Sequence, residues 1–130
     1  MTIFSKIIAG EIPSYKVAEN EDFYAFLDIN PIVRGHVLVV PKKEEDYIFN
    51  LDDKTLGDMM IFSKRVAKAL KKAITCKRIG VTVIGLEVPH AHIHLIPLTK
   101  ESDILFDKSR QKFSKKEFIQ IANSIADFFE

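Results

Sequence analysis

One cysteine, no tryptophan, five glycines, five prolines and no surplus of either charge describe what this 130-residue sequence does without. The lone Cys76 permits no internal disulfide and no cysteine-based zinc cluster, and it fits a reducing, cytoplasmic setting. With 19 Lys+Arg against 18 Asp+Glu the chain has no bulk charge with which to grasp nucleic acid. Lys64 to Arg78 is rich in basic residues, but it reads as the solvated face of a helix. No apolar run approaches the roughly 20 residues of a membrane span. Met1–Gly10 places Lys6 inside its one apolar stretch, unlike a signal peptide. Glycines and prolines are scattered singly, so no linker, repeat or low-complexity tract divides the chain. What is there, 47% hydrophobic and 28% charged, suffices for one domain spanning residues 1–130.

Punctuation and periodicity predict the elements. Residues 2–9 read as a short helix with Thr2 as N-cap and Gly10 past its end. Tyr15–Glu19 and Phe23–Asp28 read as strands joined at Asn20-Glu21, and His36–Val40 as a fully buried strand. Over residues 52–75, Leu56, Met59, Met60, Phe62, Val66, Ala67, Leu70, Ala73 and Ile74 fill an arc of about 160° at helical spacing. An arc that wide fits either contact with a sheet and a second subunit or a helix sunk in its own core. Arg78–Leu86 and Ala91–Leu98 read as two more strands. Ser114-Lys-Lys-Glu117 is a capping box, with Phe113 and Phe118 at the hydrophobic-staple positions of a last helix. Short strand-to-strand connections and one long crossover helix predict an α+β fold with an antiparallel sheet.

Phosphate-loop and hydrolase motifs fail. Gly80-Val-Thr-Val-Ile-Gly85 has the glycine spacing of a phosphate loop but continues Leu86-Glu87 where Lys-Ser/Thr is required. The chemistry concentrates instead in His90-Ala-His92-Ile-His94. On a strand the three rings share one face, while Ala91, Ile93 and Leu95 take the other. A single metal ion suits this row poorly, because the outer Cα atoms stand about 13 Å apart on a straight strand. A neighbouring pair could still chelate with a third ligand such as His36. Chemistry on phosphate suits the row better: a neutral imidazole is nucleophilic near pH 7, and its neighbours can stabilise charge on phosphate oxygens.

These residues resemble the motif His-φ-His-φ-His-φ-φ of the histidine-triad family of nucleotide hydrolases and transferases, present as His90-Ala-His92-Ile-His94-Leu-Ile96. The resemblance extends in order over residues 3–98. Ile3-Phe4-Ser-Lys-Ile7-Ile8-Ala-Gly-Glu-Ile12-Pro13 is similar to the family's opening. Phe26-Leu-Asp28-Ile-Asn-Pro31 and Gly35-His36-Val-Leu-Val-Val-Pro41-Lys42 are similar to its central strand pair. It implies a Hint-like α+β fold with a five-stranded antiparallel sheet, a long crossover helix and a C-terminal helix. It also implies a homodimer whose sheets join across the two-fold.

By that resemblance His92 is the nucleophile that forms a transient nucleotidyl-histidine. His94 bonds the phosphate oxygens, His90 helps fix the triad, and His36 supports a triad histidine. Asp28 takes the ribose hydroxyls, as an ionised carboxylate can accept from two at once. Phe4, Ile7, Ile12, Phe26 and Ile29 match the pocket for the base, although ordinary core packing explains Ile7 and Ile12 nearly as well. Gly85-Leu86-Glu87-Val88 departs from the family's Gly-Gln-Ser/Thr-Val. The Glu87 carboxylate would repel a phosphate dianion and favour an amine or cationic leaving group. The C-terminal tryptophan of some nucleoside phosphoramidases is missing. The expected activity is hydrolysis of purine nucleoside phosphoramidates or related conjugates, with no cofactor, resident metal, nucleic acid or membrane involved. A diadenosine polyphosphate hydrolase, a non-catalytic purine-nucleotide-binding module and a zinc-binding structural domain are the alternatives.

Overall fold

A computed structural model describes residues 1–107 and 109–130. Thr2 starts α1 (Ile3–Ile8) by accepting the Ser5 N–H, and Gly10 leaves that helix at a φ of 82°, open to glycine at little steric expense. Strands β1 (Lys16–Glu19) and β2 (Phe23–Leu27) meet at a turn where Asn20 Oδ1 accepts from the Asp22 and Phe23 N–H groups. Gly35 then enters β3 (Val37–Pro41) at a φ of 89°, and a Cβ there would lie 2.9 Å from Ile74 Cγ1. Only glycine fits that corner, which sets the direction of His36.

Asp52 caps α2 (Asp53–Ala73) by accepting the Thr55 N–H, and the helix carries the chain across to β4 (Arg78–Thr82) at the far edge. β5 (Ile93–Leu98) inserts between β3 and β4, giving the antiparallel order β1-β2-β3-β5-β4. The Ser114/Glu117 capping box opens α3 (Lys115–Phe128), and the Phe113 and Phe118 rings meet with centroids 5.6 Å apart. The predicted α+β class, five-stranded sheet, crossover helix and C-terminal helix are all present.

Strand alternation gives the sheet two different faces. Phe23, Ala25, Leu27, Val37, Val39, Ile93 and Leu95 pack under α2 and α3 in the main core. Tyr24, Phe26, Leu38 and Val40 point the other way and are covered by Phe4 of α1. The site lies on this second, thinly covered face.

Three sequence readings are corrected. β4 stops at Thr82, not Leu86, and β5 starts at Ile93, not Ala91, so only His94 of the triad belongs to a regular strand. Thr82 pairs with His94, and beyond that rung Gly85 (φ 74°) and Pro89 turn the chain out of the ladder. His90 and His92 sit in the lead-in segment, anchored where the Ala91 N–H donates to Glu45 O. His36 likewise stands just ahead of β3 rather than in it. Third, the buried stripe of α2 is Met59, Phe62, Ser63, Val66, Ala69 and Leu70, while Met60 is 48% exposed. Among the described residues no helix is long and apolar enough to cross a membrane.

Candidate active site

His90, His92, His94 and His36 are all buried, and the hydrogen bonds among them assign their protons. The Ile32 N–H donates to His36 Nδ1 at 3.1 Å, so that nitrogen holds a lone pair. Burial, and then the nearby Arg110 charge, push His36 down to about 3, so it is neutral at pH 7 and its proton sits on Nε2. That Nε2–H faces His94 Nδ1 at 2.9 Å and must donate to it. Burial likewise pushes His94 down to about 3. A neutral His94 accepting at Nδ1 carries its own proton on Nε2, as a donor for a ligand.

The adjacent ring has the opposite polarity. His92 Nδ1 lies 2.7 Å from His90 O, and a carbonyl oxygen can only accept, so Nδ1 bears the hydrogen. In neutral His92 the lone pair is therefore on Nε2. The His92 and His94 rings stand with centroids 4.9 Å apart, placing a nucleophilic nitrogen beside an N–H donor.

His90 is held by a chain that reaches back to the start of α1. Its Nε2–H donates to Pro41 O at 2.8 Å, and burial lowers its pKa. Nδ1 then accepts from the Thr2 hydroxyl at 2.7 Å. Glu44 Oε1 accepts from the Thr2 N–H at 2.8 Å and from the Ser5 hydroxyl at 2.6 Å, and these bonds hold its carboxyl below the usual range. Thr2 was legible in the sequence only as a helix cap. Its tie to His90, 88 positions away, had no local signal.

A cavity of about 300 Å³ opens beside His92 and His94. Phe4, Leu38 and Val88 supply apolar wall, Asp28 and Glu87 the acidic groups, and Phe106 with Arg110 the C-terminal side. Phe4 also meets the His90 and His92 rings edge-on, at 5.7 and 5.2 Å. Asp28 is fixed by its N–H to His36 O and by Oδ1 accepting from the Asn30 N–H, and Oδ2 lies 3.7 Å from His36 Nε2. The structure thus brings together His36, His90, His92, His94, Asp28, Glu87 and Phe4. Phe26 is buried against Phe4, 5.5 Å between ring centroids, as support rather than lining. Ile7 packs on the same cluster. Ile12 is half-buried away from the lining and Ile29 is 72% exposed, so neither stands in the cavity wall here. Leu38, Val88, Phe106 and Arg110 were missed; Phe106 and Arg110 come from irregular chain that carries no motif.

Asp28, His36 and His94 offer ligand atoms within 4.8 Å of one another, a spacing that could hold a metal ion. An ion there would have to replace the proton shared by His36 Nε2 and His94 Nδ1.

Fold and site together define an α+β domain in which a histidine lone pair and a histidine N–H stand side by side at a cavity. Residues 9–101 match the HIT domain model, and the chain belongs to the HIT family. It is 42% identical over 100 residues to adenosine 5'-monophosphoramidase HNT1 of Saccharomyces cerevisiae, covering 76% of this chain and 63% of the yeast protein. It is 38% identical over 116 residues to an uncharacterized HIT-like protein of Borreliella burgdorferi, covering 84% of each. Among solved structures, a Hit-like protein from Bartonella henselae superposes with a TM-score of 0.84 at 32% identity, covering 98% of this chain and 96% of its own.

Proposed function

We propose that this protein hydrolyses purine nucleoside phosphoramidates, or related nucleotide conjugates, through a nucleotidyl-histidine on His92. The observation that carries the reading is the pairing of a lone pair on His92 Nε2 with an N–H on His94 Nε2, fixed by two separate hydrogen-bond chains. Support also comes from the yeast relative, whose name is adenosine 5'-monophosphoramidase. His92 Nε2 attacks the α-phosphorus, an N–P bond forms, and the P–N bond to the amine breaks as its nitrogen takes up a proton. Water then attacks the same phosphorus and gives up a proton to solvent, replacing the one the departing amine took from it, which releases the nucleoside monophosphate and returns the electron pair to His92. His94 donates to a phosphate oxygen throughout, a positioning and electrostatic role suited to phosphoryl chemistry. Asp28 receives the ribose hydroxyls and Phe4 packs on the base.

We also propose that two copies assemble through the free edge of β4. Val81 is exposed on that edge strand, Val83 just beyond it shares a groove with Met60 of α2, and an apolar unpaired edge is a liability unless another strand covers it. A second copy offers the same edge in the self-complementary way a two-fold requires.

A fluorogenic adenosine phosphoramidate tests the reading. The wild-type protein turns it over, and His92→Asn abolishes turnover while AMP still binds. Turnover of diadenosine polyphosphates alone would move the assignment to those substrates. Binding of AMP without turnover of any conjugate would make the protein a nucleotide-binding module.

A further inference from the structure

The charges around the cavity are at odds with an anionic ligand unless one residue outside the triad intervenes. Asp28 and Glu87 line it, and the two histidines that are held near pKa 3 contribute no positive charge. Among the described lining residues, Arg110 alone is a permanent cation. Its guanidinium is fixed in place: Nη1 donates to Asn30 O at 2.7 Å and Nη2 to Phe106 O at 3.3 Å. It also lies 5.5 Å from the centroid of the Phe106 ring. That ring in turn meets His94 edge-on at 4.7 Å and His36 at 6.0 Å. Phe106 and Arg110 therefore bring the C-terminal part of the chain against the face of the sheet that carries the histidines.

We propose that Arg110 binds the phosphate of the substrate nucleotide, with Phe106 as the platform that holds it beside His94. The inference rests on reading the cavity as a nucleotide site. A guanidinium has five N–H donors and stays charged at any working pH. Here two main-chain oxygens orient it in advance, so little rotamer freedom remains to be lost when an anion arrives. Arg110 offsets the repulsion from Asp28 and Glu87, and its charge is already felt at the buried His36 and His94. Substrates that keep a charged phosphate next to the ribose are favoured over uncharged nucleosides.

Calorimetric titration with adenosine and with AMP tests this, because the two ligands differ only in the phosphate. The wild-type protein binds AMP more tightly than adenosine. Arg110→Met should weaken AMP by about tenfold or more and leave adenosine within about twofold. Arg110→Lys should restore part of the AMP preference, since it keeps the charge and loses the fork. Added salt should weaken AMP binding in the wild type more than in Arg110→Met. Equal loss of AMP and adenosine binding would reduce Arg110 to a prop for the chain around it, and no change in either would remove it from the site. If the phosphoramidate is hydrolysed in a His92-dependent way while the AMP-to-adenosine ratio ignores Arg110, this inference alone falls. If the wild type binds neither ligand, the nucleotide reading falls with it.

Discussion

His36 Nε2 lies 2.9 Å from His94 Nδ1, and the Ile32 N–H on the far side of His36 makes that contact one-directional. A backbone amide thereby sets which nitrogen of a ring two residues further along the relay can donate to a ligand. His36→Phe keeps an aromatic of similar bulk and removes the relay. Turnover should fall by about 10- to 100-fold, with a smaller change in AMP affinity. The Ile32 N–H is left buried without a partner, which costs about 1–3 kcal/mol. Nitrogen NMR of His94 should show mixed tautomers; a single tautomer with full activity would sink the relay.

The same burial predicts how stability responds to acid. His36 and His94 are pushed down to about 3 in the fold, whereas an unfolded histidine titrates near pH 6.5. Below pH 6.5 the unfolded chain therefore binds more protons than the native one. The stability that comes from keeping the rings neutral is fully present above pH 6.5 and is lost as pH falls towards 3. Each ring can contribute a slope of up to about 1.4 kcal/mol per pH unit. Melting temperature should drop between pH 7 and pH 5, where most carboxylates are still ionised, and drop less in His36→Phe. A flat profile in that window would contradict the burial argument.

Thr2 serves two masters, since its oxygen accepts the Ser5 N–H while its hydroxyl hydrogen goes to His90. Thr2→Val should cost about 1 kcal/mol through the lost cap. It should also lower kcat several-fold with little effect on KM, because the His90 carbonyl that holds His92 loses its support. Thr2→Ser should rescue both. A stability loss with unchanged kcat would confine Thr2 to the helix.

Glu87 lines the cavity where the sequence places a carboxylate instead of a hydroxyl. In Glu87→Ser, rates on phosphate leaving groups should rise relative to amine leaving groups, measured as a ratio of kcat/KM values on matched adenosine conjugates. An unchanged ratio would remove Glu87 from leaving-group choice.

The exposed β4 edge predicts that Val81→Lys yields a monomer by light scattering while the isolated fold stays intact. A wild-type protein that is already monomeric at tens of micromolar would overturn the dimer.

Local patterns in the sequence were enough for the starts of α1 and α3, because Thr2 and Ser114 are caps whose partners lie three residues away. They also sufficed for the sheet and the α+β class, since alternation and short turns leave few topologies. The placement of His92 and His94 beside each other followed from their spacing, even though regular strand begins only at Ile93. Which nitrogen carries each proton did not follow. That depends on Ile32, Pro41 and Thr2, whose contacts with His36 and His90 arise from the folded path of the backbone. Nor did the sequence disclose Arg110 at the cavity, because its anchor, Asn30 O, is 80 positions away. A periodic pattern records which face a residue takes on its own element. Charge balance and tautomers are set by groups that meet across elements, and only the tertiary structure brings those together.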